Sequence, residues 1–593
     1  MTKKSSSILG SMFLTAFITF SIIELSTVGA SLIDGIMVST LLGPDSMAAA
    51  GIGGTIFSIV GILSGTLSVG LQTLAGAELS RGRVKEMQKL CSMTMLTTLI
   101  VSVLCSLLLF LFASPIAFFL GARGNAARLC GEAADYLRGI AVGTVPLITS
   151  VVLSTAVQLD SGGRLIRIGA IAASATDVLL DYLAVRLNMG LFGMGLASSL
   201  SYVVDFCILL IHFRKKNRLL QFTLQDLPFS SLGKIASLGS EKASRRLMNT
   251  LRPLLLNTFI ITAGGALGMS ALSIRNNIEN FLEIPMTGIA GATALLIGIA
   301  YGEKNGEDCR NIIRLALRSI LLYSLVVISG LLLFARPIAS YYVRERGELR
   351  NLVLFSVCCL AFGTPFSAIA VNRTSFLQAS GRLKECQLLT VMSKFVVIVA
   401  CAIFCVRFWQ SRGIIAAFPL SNLLICLMIL AVSVRIGRKK SGQRSPLLEG
   451  YLNLPADFDP LPQDVIQLTI RDEEEAVLTA EQLQMFCLGH KINKARALQV
   501  ALCLEELSVN ILQHGYRQRK AAQPIDVRLV IAGDDLILRI RDHCPRFDLT
   551  ERIRLIEAET DPTRNLGIRM VARMAKDIHY VYLLETNTVI LTL

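Results

Sequence analysis

The chain reads Gly143-Thr144-Val145-Pro146 and then Gln158-Leu159-Asp160-Ser161-Gly162-Gly163-Arg164-Leu165, and it repeats this pattern about 220 residues later. The second copy is Gly363-Thr364-Pro365 followed by Leu377-Gln378-Ala379-Ser380-Gly381-Arg382-Leu383. Apolar runs around each copy predict six membrane helices in each half. Because an even number of helices preserves orientation, we expect two lobes related by an axis along the membrane normal. Two such lobes with a cleft between them favour a transporter over a channel.

Composition supports a membrane protein. The mean hydropathy is +0.59 and only 17% of the 593 residues are charged, against about 25% in soluble domains. Apolar runs of about 20 residues recur from Ile8 to Val434, and each can cross a hydrocarbon core of roughly 30 Å. The predicted helices lie near 8–38, 47–73, 91–113, 133–158, 166–186, 193–213, 247–272, 281–301, 314–334, 352–378, 387–407 and 413–434.

The net charge of +15 does not indicate nucleic acid as a partner, because the basic residues lie between the apolar runs. They are concentrated in alternate loops, around 81–89, 214–218, 304–318 and 435–440. The positive-inside rule therefore predicts a multi-pass protein of the cell (inner) membrane, in contact with the lipid bilayer, with both termini cytoplasmic.

These patterns divide the chain into five predicted regions. Two are lobes of six helices, two are connecting segments and one is a soluble domain. They are an N-lobe (1–213), a cytoplasmic connector (214–246), a C-lobe (247–434), a linker that is first basic and then rich in Pro, Gly and Asp (435–464), and a C-terminal domain (465–593).

Several motifs of the membrane part follow one another in a familiar order. They are Ile33-Asp34-Gly35-Ile36-Met37-Val38, Leu42-Gly43, Met47 to Ile52, the Ser161-Gly162-Gly163-Arg164-Leu165 turn, Leu180-Asp181, and Gly193-x-Gly195-x-Ala197. Over about residues 8–434 the chain resembles the multidrug and toxic compound extrusion (MATE) transporters. The resemblance implies export of small organic, cationic or drug-like compounds by antiport against protons or sodium.

Three carboxylates of the predicted N-lobe require an explanation, because an Asp inside a bilayer costs about 2.5–3.5 kcal/mol on insertion scales. Asp177 and Asp181 are four residues apart and share one helix face. The resemblance implies that Asp34 and Asp181 bind the coupling cation, assisted by Asp177. Carboxylates close together in a low dielectric have raised pKa values and can exchange protons near neutral pH. Alternatively, these residues only hydrogen-bond neighbouring helices, or the helix-5 pair lies near the lipid surface.

Other intramembrane charges are not matched to the family residue by residue, although many of its members have a carboxylate in the C-lobe. Glu24 lies deep in the first predicted helix, and Glu279 and Glu283 lie four residues apart before Pro285. We consider these three glutamates candidate transport residues. Arg252 and Arg373 are candidates for neutralising intramembrane carboxylates.

The C-terminal region has the pattern of an α/β two-layer sandwich. Gly533-Asp534-Asp535 lies between two alternating strands and indicates a hairpin. The predicted strands are 465–471, 526–531, 536–542, 578–584 and 588–593, and the predicted helices are 475–489, 495–519 and 566–576.

Three motifs in this domain suggest nucleotide chemistry. Glu506, Asn510 and His514 form one stripe of a helix, where the Asn carbonyl can bind Mg²⁺ and the Glu can orient or deprotonate a hydroxyl. Asp542-His543-Cys544-Pro545-Arg546-Phe547-Asp548 ends a strand, and an Asp there can accept a hydrogen bond from the adenine amino group. Asn565-Leu566-Gly567 opens a helix whose free N–H groups can bind phosphate.

In this order the motifs resemble the GHKL (Bergerat) ATP-binding fold, specifically the anti-sigma-factor serine kinases. The resemblance implies that ATP is bound with Mg²⁺, with Glu506 as the catalytic base, Asn510 as the magnesium ligand and Asp542 as the adenine contact. Asp548 and Gly567 are the remaining predicted nucleotide contacts. Two departures stand at positions where the family has glycine, namely Cys544 and Asn565.

Two functions follow from this combination. The first is a cation-coupled exporter regulated by an ATP-binding domain that resembles a serine/threonine kinase. The second is a transporter-like sensor that controls a serine kinase acting on a cytoplasmic partner of the anti-sigma-antagonist type. ATP does not power transport in either case, since the chain has no GxxxxGK[ST] loop. Efflux that survives deletion of the tail would favour the first.

Overall fold

We describe a computed structural model of the chain. It covers 6–37, 44–80, 83–119, 127–160, 162–214, 218–343, 347–440, 446–455, 458–516, 524–557 and 565–593, and within these ranges some side chains, including those of 30–37, 44–55 and 261–266, are left undescribed.

The described part of the N-lobe contains seven helices, six of which correspond to the predicted spans, whereas α4 was not predicted. Its longest members cross the lobe, and the shortest, α4, follows α3 after a single residue. The helices are α1 (Ser6–Met37), α2 (Pro44–Ser80), α3 (Val84–Leu111), α4 (Ala113–Phe119), α5 (Ala127–Leu159), α6 (Gly163–Arg186) and α7 (Gly190–Leu210).

The C-lobe contains α8 (Leu232–Gly302), α9 (Gly306–Tyr342), α10 (Glu348–Ala379), α11 (Leu383–Val391) and α12 (Val397–Lys440), with a π-helical turn over Met392–Val396. Half of the predicted connector is thus helical, because α8 begins at Leu232. Two predicted spans also share α8. Ile260 and Gly268 are eight residues apart, which in a straight helix corresponds to a rise of about 12 Å. A Cβ at Gly268 would instead lie only 3.5 Å from the backbone oxygen of Ile260. The two halves of α8 therefore fold against each other.

The last two predicted spans share α12 and the segment before it. Gln410 has φ 50° and ψ −127°, which is not helical. Gly413 packs against the backbone of Cys405, where a Cβ would overlap it. The chain thus reverses at this point, as the prediction of two helices requires. In total, the described residues contain ten helical stretches that are long and apolar enough to cross a membrane.

Glycines bring helices of the two lobes together. Gly288 and Gly291 of α8 lie against Ser21 and Phe20 of α1, and a Cβ on either glycine would overlap these side chains. Gly70 of α2 lies equally close to Ile235 of α8. Small residues let helix backbones approach closely in membranes, so these positions define the contact between the lobes.

Part of the predicted linker is folded and packs against the C-lobe. It contains α13 (Pro446–Leu452), which packs on α12 where Gly450 meets the backbone of Ser433. Arg373 of α10 donates to the backbone oxygen of Tyr451, and its guanidinium lies 4.7 Å from the centre of the Tyr451 ring. Arg373 therefore holds α13 against the C-lobe, and its role in neutralising a carboxylate stays a prediction.

The C-terminal domain is the predicted two-layer sandwich. Its antiparallel sheet has the order β1-β2-β3-β5-β4, and α14 and α15 cover one face with α17, through Leu483, Leu504 and Val571. The strands are β1 (Val465–Ile470), β2 (Ile525–Ala532), β3 (Asp535–Asp542), β4 (Asp577–Leu583) and β5 (Thr586–Thr592), and the helices are α14 (Glu473–Gly489), α15 (Lys494–Asn510), α16 (Leu549–Glu557) and α17 (Leu566–Met574).

Strand alternation directs two kinds of side chain to opposite faces of this sheet. Leu536, Leu538 and Ile540 of β3 face the helices and join the domain core, so Arg539 and Arg541 point away from them. Both arginines are nevertheless only 4% exposed. The transporter covers this second face of the sheet.

Candidate transport and nucleotide sites

The N-lobe carboxylates of α6 are buried side by side. Asp177 is 5% exposed and Asp181 is fully buried, and both lie on the face of α6 that also buries Ile166 and Gly169. Neither carboxylate therefore faces lipid directly, whereas their depth in the membrane stays a prediction. Asp34 is within α1, but its side chain lies outside the described residues, so its coupling role stays a prediction.

Polar contacts join α1 to α6 near these carboxylates. Ser26 donates to the backbone oxygen of Ala170 at 2.6 Å, and Arg167 donates to Thr19 Oγ1 at 2.7 Å. Glu24, on the same helix as Ser26, is half-buried. Sequence reasoning missed Arg167, although a cation ten residues, or nearly three turns, before a helical carboxylate pair is itself a recognisable signal.

The C-lobe carboxylates stand among cations. Arg275 donates to both oxygens of Glu279, at 2.9 and 3.0 Å, and its guanidinium stacks 3.5 Å above the ring of Phe418. Lys394 lies 3.9 Å from Glu283. The structure thus brings the two predicted glutamates together with Arg275 and Lys394, which the sequence analysis did not select.

In the C-terminal domain, three of the predicted nucleotide residues meet. Asn510 donates through Nδ2 to Glu506 Oε1 at 2.7 Å, which leaves its carbonyl oxygen for a cation. A Cβ at Gly567 would overlap the carboxylate of Glu506, so the start of α17 lies directly against α15. The described residues contain no cluster of three His, Cys, Asp or Glu that could hold a metal by itself, so a magnesium ion here would need ligands from the nucleotide as well.

Asp542 is fixed by a network centred on Asn587. Its Oδ1 accepts from Asn587 Nδ2 at 2.8 Å and from the backbone N–H of Cys544 at 2.7 Å. Burial raises the pKa of Asp542, although these hydrogen bonds oppose the shift. Tyr580 in turn donates to Asn587 Oδ1 at 2.6 Å. Asn587 was not predicted, since its partner is 45 residues away.

The two departures from the family pattern are accommodated by the local backbone. A Cβ at Gly515 would overlap the thiol of Cys544, so a glycine on the facing helix leaves room for this side chain. Asn565 has φ 56° and ψ 38°, in the left-handed region where Asn is tolerated better than most residues. The loop keeps a backbone that glycine would also adopt.

Asp548 has a visible structural role. Its Oδ1 accepts from the N–H groups of Thr550 and Glu551, at 3.0 and 3.1 Å, and so caps α16. Its assignment to the nucleotide stays a prediction.

The arginine face of the sheet meets the turn between α8 and α9. Arg541 donates to Glu303 at 2.6 Å and to Asp308 at 3.2 Å. Arg539 donates to Glu303 at 2.5 Å and to Asp526 at 3.0 Å. Burial raises the pKa of Glu303, but the nearby arginines outweigh it and hold that pKa below its usual value. Glu303 is therefore ionised at neutral pH.

A second contact reaches the N-lobe. Arg546 lies 3.6 Å from Asp160, the residue after α5, which also contacts His212 at 2.8 Å and accepts from the N–H groups of Leu219 and Leu220. Leu583 and Leu584 of the domain belong to the same buried cluster as Leu220. The domain thus touches both lobes on one side of the transporter.

Comparison with known proteins agrees with this architecture. The MatE family model matches residues 20–183 and 244–404, and a histidine kinase-like ATPase domain model matches 468–593. A probable multidrug resistance protein NorM of Synechococcus sp. is 24% identical over 344 residues, which is 56% of this chain and 72% of that protein.

Solved structures show the same fold. An outward-facing multidrug resistance MATE family transporter of the MOP superfamily has a TM-score of 0.65 at 22% identity, covering 70% of this chain and 93% of that one. A MOP superfamily transporter from Pyrococcus furiosus, described as having a binding pocket of reverse polarity that suggests a different function, has a TM-score of 0.66 at 21% identity, covering 76% and 98%. The chain therefore belongs to the MatE family of membrane transporters and carries a histidine kinase-like ATPase domain at its C-terminal end.

Proposed function

We propose that this protein exports small organic compounds in exchange for protons or sodium, and that its ATP-binding domain regulates this transport from the cytoplasmic side. Asp34, Asp177 and Asp181 are the proposed coupling carboxylates. Burial of Asp177 and Asp181 on one helix face supports this assignment. The family precedent favours a cationic compound. The similar Pyrococcus furiosus transporter is described as having a binding pocket of reverse polarity, so this precedent does not fix the sign of the charge.

The observation that carries the regulatory part is the double attachment of the domain. Arg539 and Arg541 bind the Glu303–Asp308 turn of the C-lobe, and Arg546 lies against Asp160 of the N-lobe. Alternating access requires the lobes to separate on one side and then on the other. A domain bound to both lobes on one side opposes their separation there.

The strength of the C-lobe attachment follows from its charge balance. Three arginines, at 528, 539 and 541, face three carboxylates, those of Glu303, Asp308 and Asp526, and all six are buried or nearly so. Removing one partner of a buried ion pair typically costs about 3–5 kcal/mol, because the other charge is left uncompensated. The interface is thus sensitive to small displacements of β3.

The nucleotide site and the N-lobe contact share one loop. Asp542 and Arg546 are four residues apart, and Asn587 holds the segment between them through the backbone oxygens of Cys544 and Pro545, at 3.1 and 3.3 Å. A nucleotide that hydrogen-bonds to Asp542 either displaces one of the hydrogen bonds made by Asn587 or adds another to them. We therefore expect nucleotide occupancy to move Arg546 relative to Asp160.

The proposed ligand of the domain is ATP with magnesium. Binding of ATP serves as the regulatory signal, and its γ-phosphate is available for transfer. In this proposal the carbonyl oxygen of Asn510 contributes to the magnesium ligands, Asp542 holds the adenine and Gly567 admits the phosphates. The intact Glu506–Asn510 pair favours a second candidate function, in which Glu506 deprotonates a serine of a cytoplasmic antagonist-type partner and the membrane part serves as the sensor.

The transport proposal is tested with the full chain in proteoliposomes and an imposed proton or sodium gradient, without nucleotide. We expect the gradient to drive accumulation of a fluorescent organic probe, and Asp181→Asn to stop it. Accumulation that is equal with and without either gradient would overturn the antiport assignment. Phosphorylation of a partner peptide in the absence of any transport would favour the second function.

A further inference from the structure

Helix α14 of the ATPase domain is apolar on two opposite faces. Its inner face packs into the domain core through four buried residues, Ala476, Ala480, Leu483 and Cys487. Its outer face also carries large apolar side chains, and these are exposed. They are Val477 (42% exposed), Leu478 (56%), Met485 (70%) and Leu488 (38%). A helix that is apolar all round is ordinarily covered on every side. We refer to the four outer residues as the α14 stripe.

Helical spacing places the residues of the α14 stripe side by side. Successive residues of an α-helix are rotated by about 100° about its axis. The four side chains therefore share an arc of about 100°, with Val477 and Leu488 along one border and Leu478 and Met485 along the other. Single exposed apolar residues need no explanation, but a continuous apolar patch on a soluble domain marks a surface that binds a partner.

The α14 stripe faces away from the membrane part of the protein. The transporter covers the face of the sheet that carries Arg539 and Arg541. Helix α14 packs on the opposite face, together with the domain core, and the stripe lies on the side of α14 that points away from the sheet. Lipid and the transporter helices are therefore on the wrong side of the domain to cover it, which favours a soluble protein.

Two carboxylates lie within the α14 stripe. Glu474 and Glu481 are exposed, and the same helical spacing places both between the two borders of the stripe. They are seven residues apart, which is two turns or about 10 Å along the helix. Covering a carboxylate without a partner of opposite charge is costly. A protein that covers the stripe must therefore bring basic groups to these two positions.

A second copy of the chain does not meet this requirement. A twofold dimer pairs one surface with the same surface of the other copy. Because Glu481 lies near the middle of the α14 stripe, two α14 helices that meet in this way would bring the two Glu481 carboxylates together. Like charges that face each other across an interface oppose association. The charge pattern thus favours a different protein as the partner.

We propose that the α14 stripe is the docking surface for a soluble protein that contributes an amphipathic helix. The apolar face of that helix covers the stripe, and two basic residues, two turns apart on it, pair with Glu474 and Glu481. Amphipathic helices bind apolar surfaces through side chains that recur at every third or fourth position. This goes beyond the proposed regulation by nucleotide, because a docked partner supplies the domain with a second signal.

Binding of designed peptides to the full-length protein in phosphatidylcholine nanodiscs tests this without any gradient or nucleotide. The probes are two labelled peptides of about 18 residues, which is long enough to form a helix. Both have leucines along one face. On that face, one peptide has two lysines seven positions apart where the other has two glutamates. We expect the lysine peptide to bind at least tenfold more tightly than the glutamate peptide.

Exchange of the charges in the protein should reverse this preference. In Glu474→Lys/Glu481→Lys we expect the glutamate peptide to bind at least tenfold more tightly than the lysine peptide. Met485→Gln keeps the length of the side chain but makes it polar, and should weaken binding of the lysine peptide at least fivefold. The control is Asp577→Lys, at an exposed position of β4 and at the opposite edge of the sheet from β1, which α14 contacts. It should bind both peptides as the wild type does.

The wild-type preference decides the matter even if a variant fails to fold. Equal binding of the two peptides, or binding no greater than to empty nanodiscs, would overturn the docking surface. So would a preference for the lysine peptide that both α14 variants leave unchanged. A wild-type dimer in analytical ultracentrifugation that Met485→Gln dissociates would show that a second copy covers the stripe, and would overturn the assignment to a different protein.

Discussion

Arg541 donates through Nη2 to Oε1 of Glu303 at 2.6 Å, across a sequence separation of 238 residues. This pair fastens the ATPase domain to the turn between α8 and α9. Arg539 binds the same carboxylate and also Asp308. The ATPase domain is thus held against the transporter by buried ion pairs as well as by the connecting chain.

The contact with the N-lobe should transmit the nucleotide state. We expect Arg546→Gln to reduce the effect of ATP on efflux by at least half, because the domain then loses its charged contact with Asp160. Nucleotide binding and gradient-driven efflux should remain. The measurement is efflux from proteoliposomes with and without ATP. Arg573→Gln, at an exposed position of the same domain, is the matched control, and an unchanged ATP response in Arg546→Gln would argue against the contact.

Asp542 should make nucleotide binding dependent on pH. Its pKa is raised above the usual value of 3.8, chiefly by burial, and only the ionised carboxylate is a full acceptor for the adenine amino group. ATP affinity should therefore fall as the pH decreases through this raised pKa, at a higher pH than an exposed Asp would produce. Calorimetry on the full chain across this range measures the effect.

The corresponding substitution isolates the role of this carboxylate. Asp542→Asn should weaken ATP binding about tenfold or more at neutral pH and abolish the pH dependence. Asp577→Asn, at an exposed position of β4, should change neither. If the Asp542→Asn protein binds ATP as tightly as the wild type, Asp542 is not the acceptor for the adenine amino group.

The start of α17 has no room for a side chain. Gly567→Ala should lower nucleotide affinity strongly, because the added methyl group would overlap the Glu506 carboxylate and force α15 and α17 apart. Gly489→Ala is the control, since a Cβ there meets nothing within 4 Å. Equal ATP affinities of the two variants would show that the Glu506–Gly567 contact does not shape the site.

The buried carboxylate pair of α6 should be essential for ion coupling. Asp181→Asn removes the charge and keeps nearly the same volume, so the protein should still fold and insert. We expect proton- or sodium-driven efflux to fall to background. Asp135→Asn, at a partly exposed position of α5, is the matched control. Efflux above half the wild-type rate in Asp181→Asn would exclude it as a coupling residue.

Much of this architecture follows from local patterns. The period of the apolar runs gives the membrane helices, and strand alternation gives all five strands, because both patterns are set by neighbouring residues. The stripe of Glu506 and Asn510 likewise follows from helical spacing. The conformation of Asn565 fits this account, since Asn adopts a left-handed backbone with little strain.

The contacts between distant elements could not be predicted in this way. Arg539 and Arg541 alternate on one face of β3, yet nothing near them in sequence indicates Glu303 as the partner. Lys394 was missed because one lysine in an apolar run has no periodic signal. The reversal at Gln410 divides one continuous helical segment, and it depends on close packing of Gly413 on Cys405 rather than on a local turn motif.

We expect the domain to control transport through the Arg539–Arg541 attachment. The most direct test is gradient-driven efflux with and without ATP, in vesicles whose ATPase domain faces the added nucleotide, comparing the wild type with Arg539→Gln/Arg541→Gln. ATP should change the wild-type rate severalfold and leave the rate of the double variant unchanged, although the variant still binds ATP. An ATP response of the same size in both proteins would contradict it.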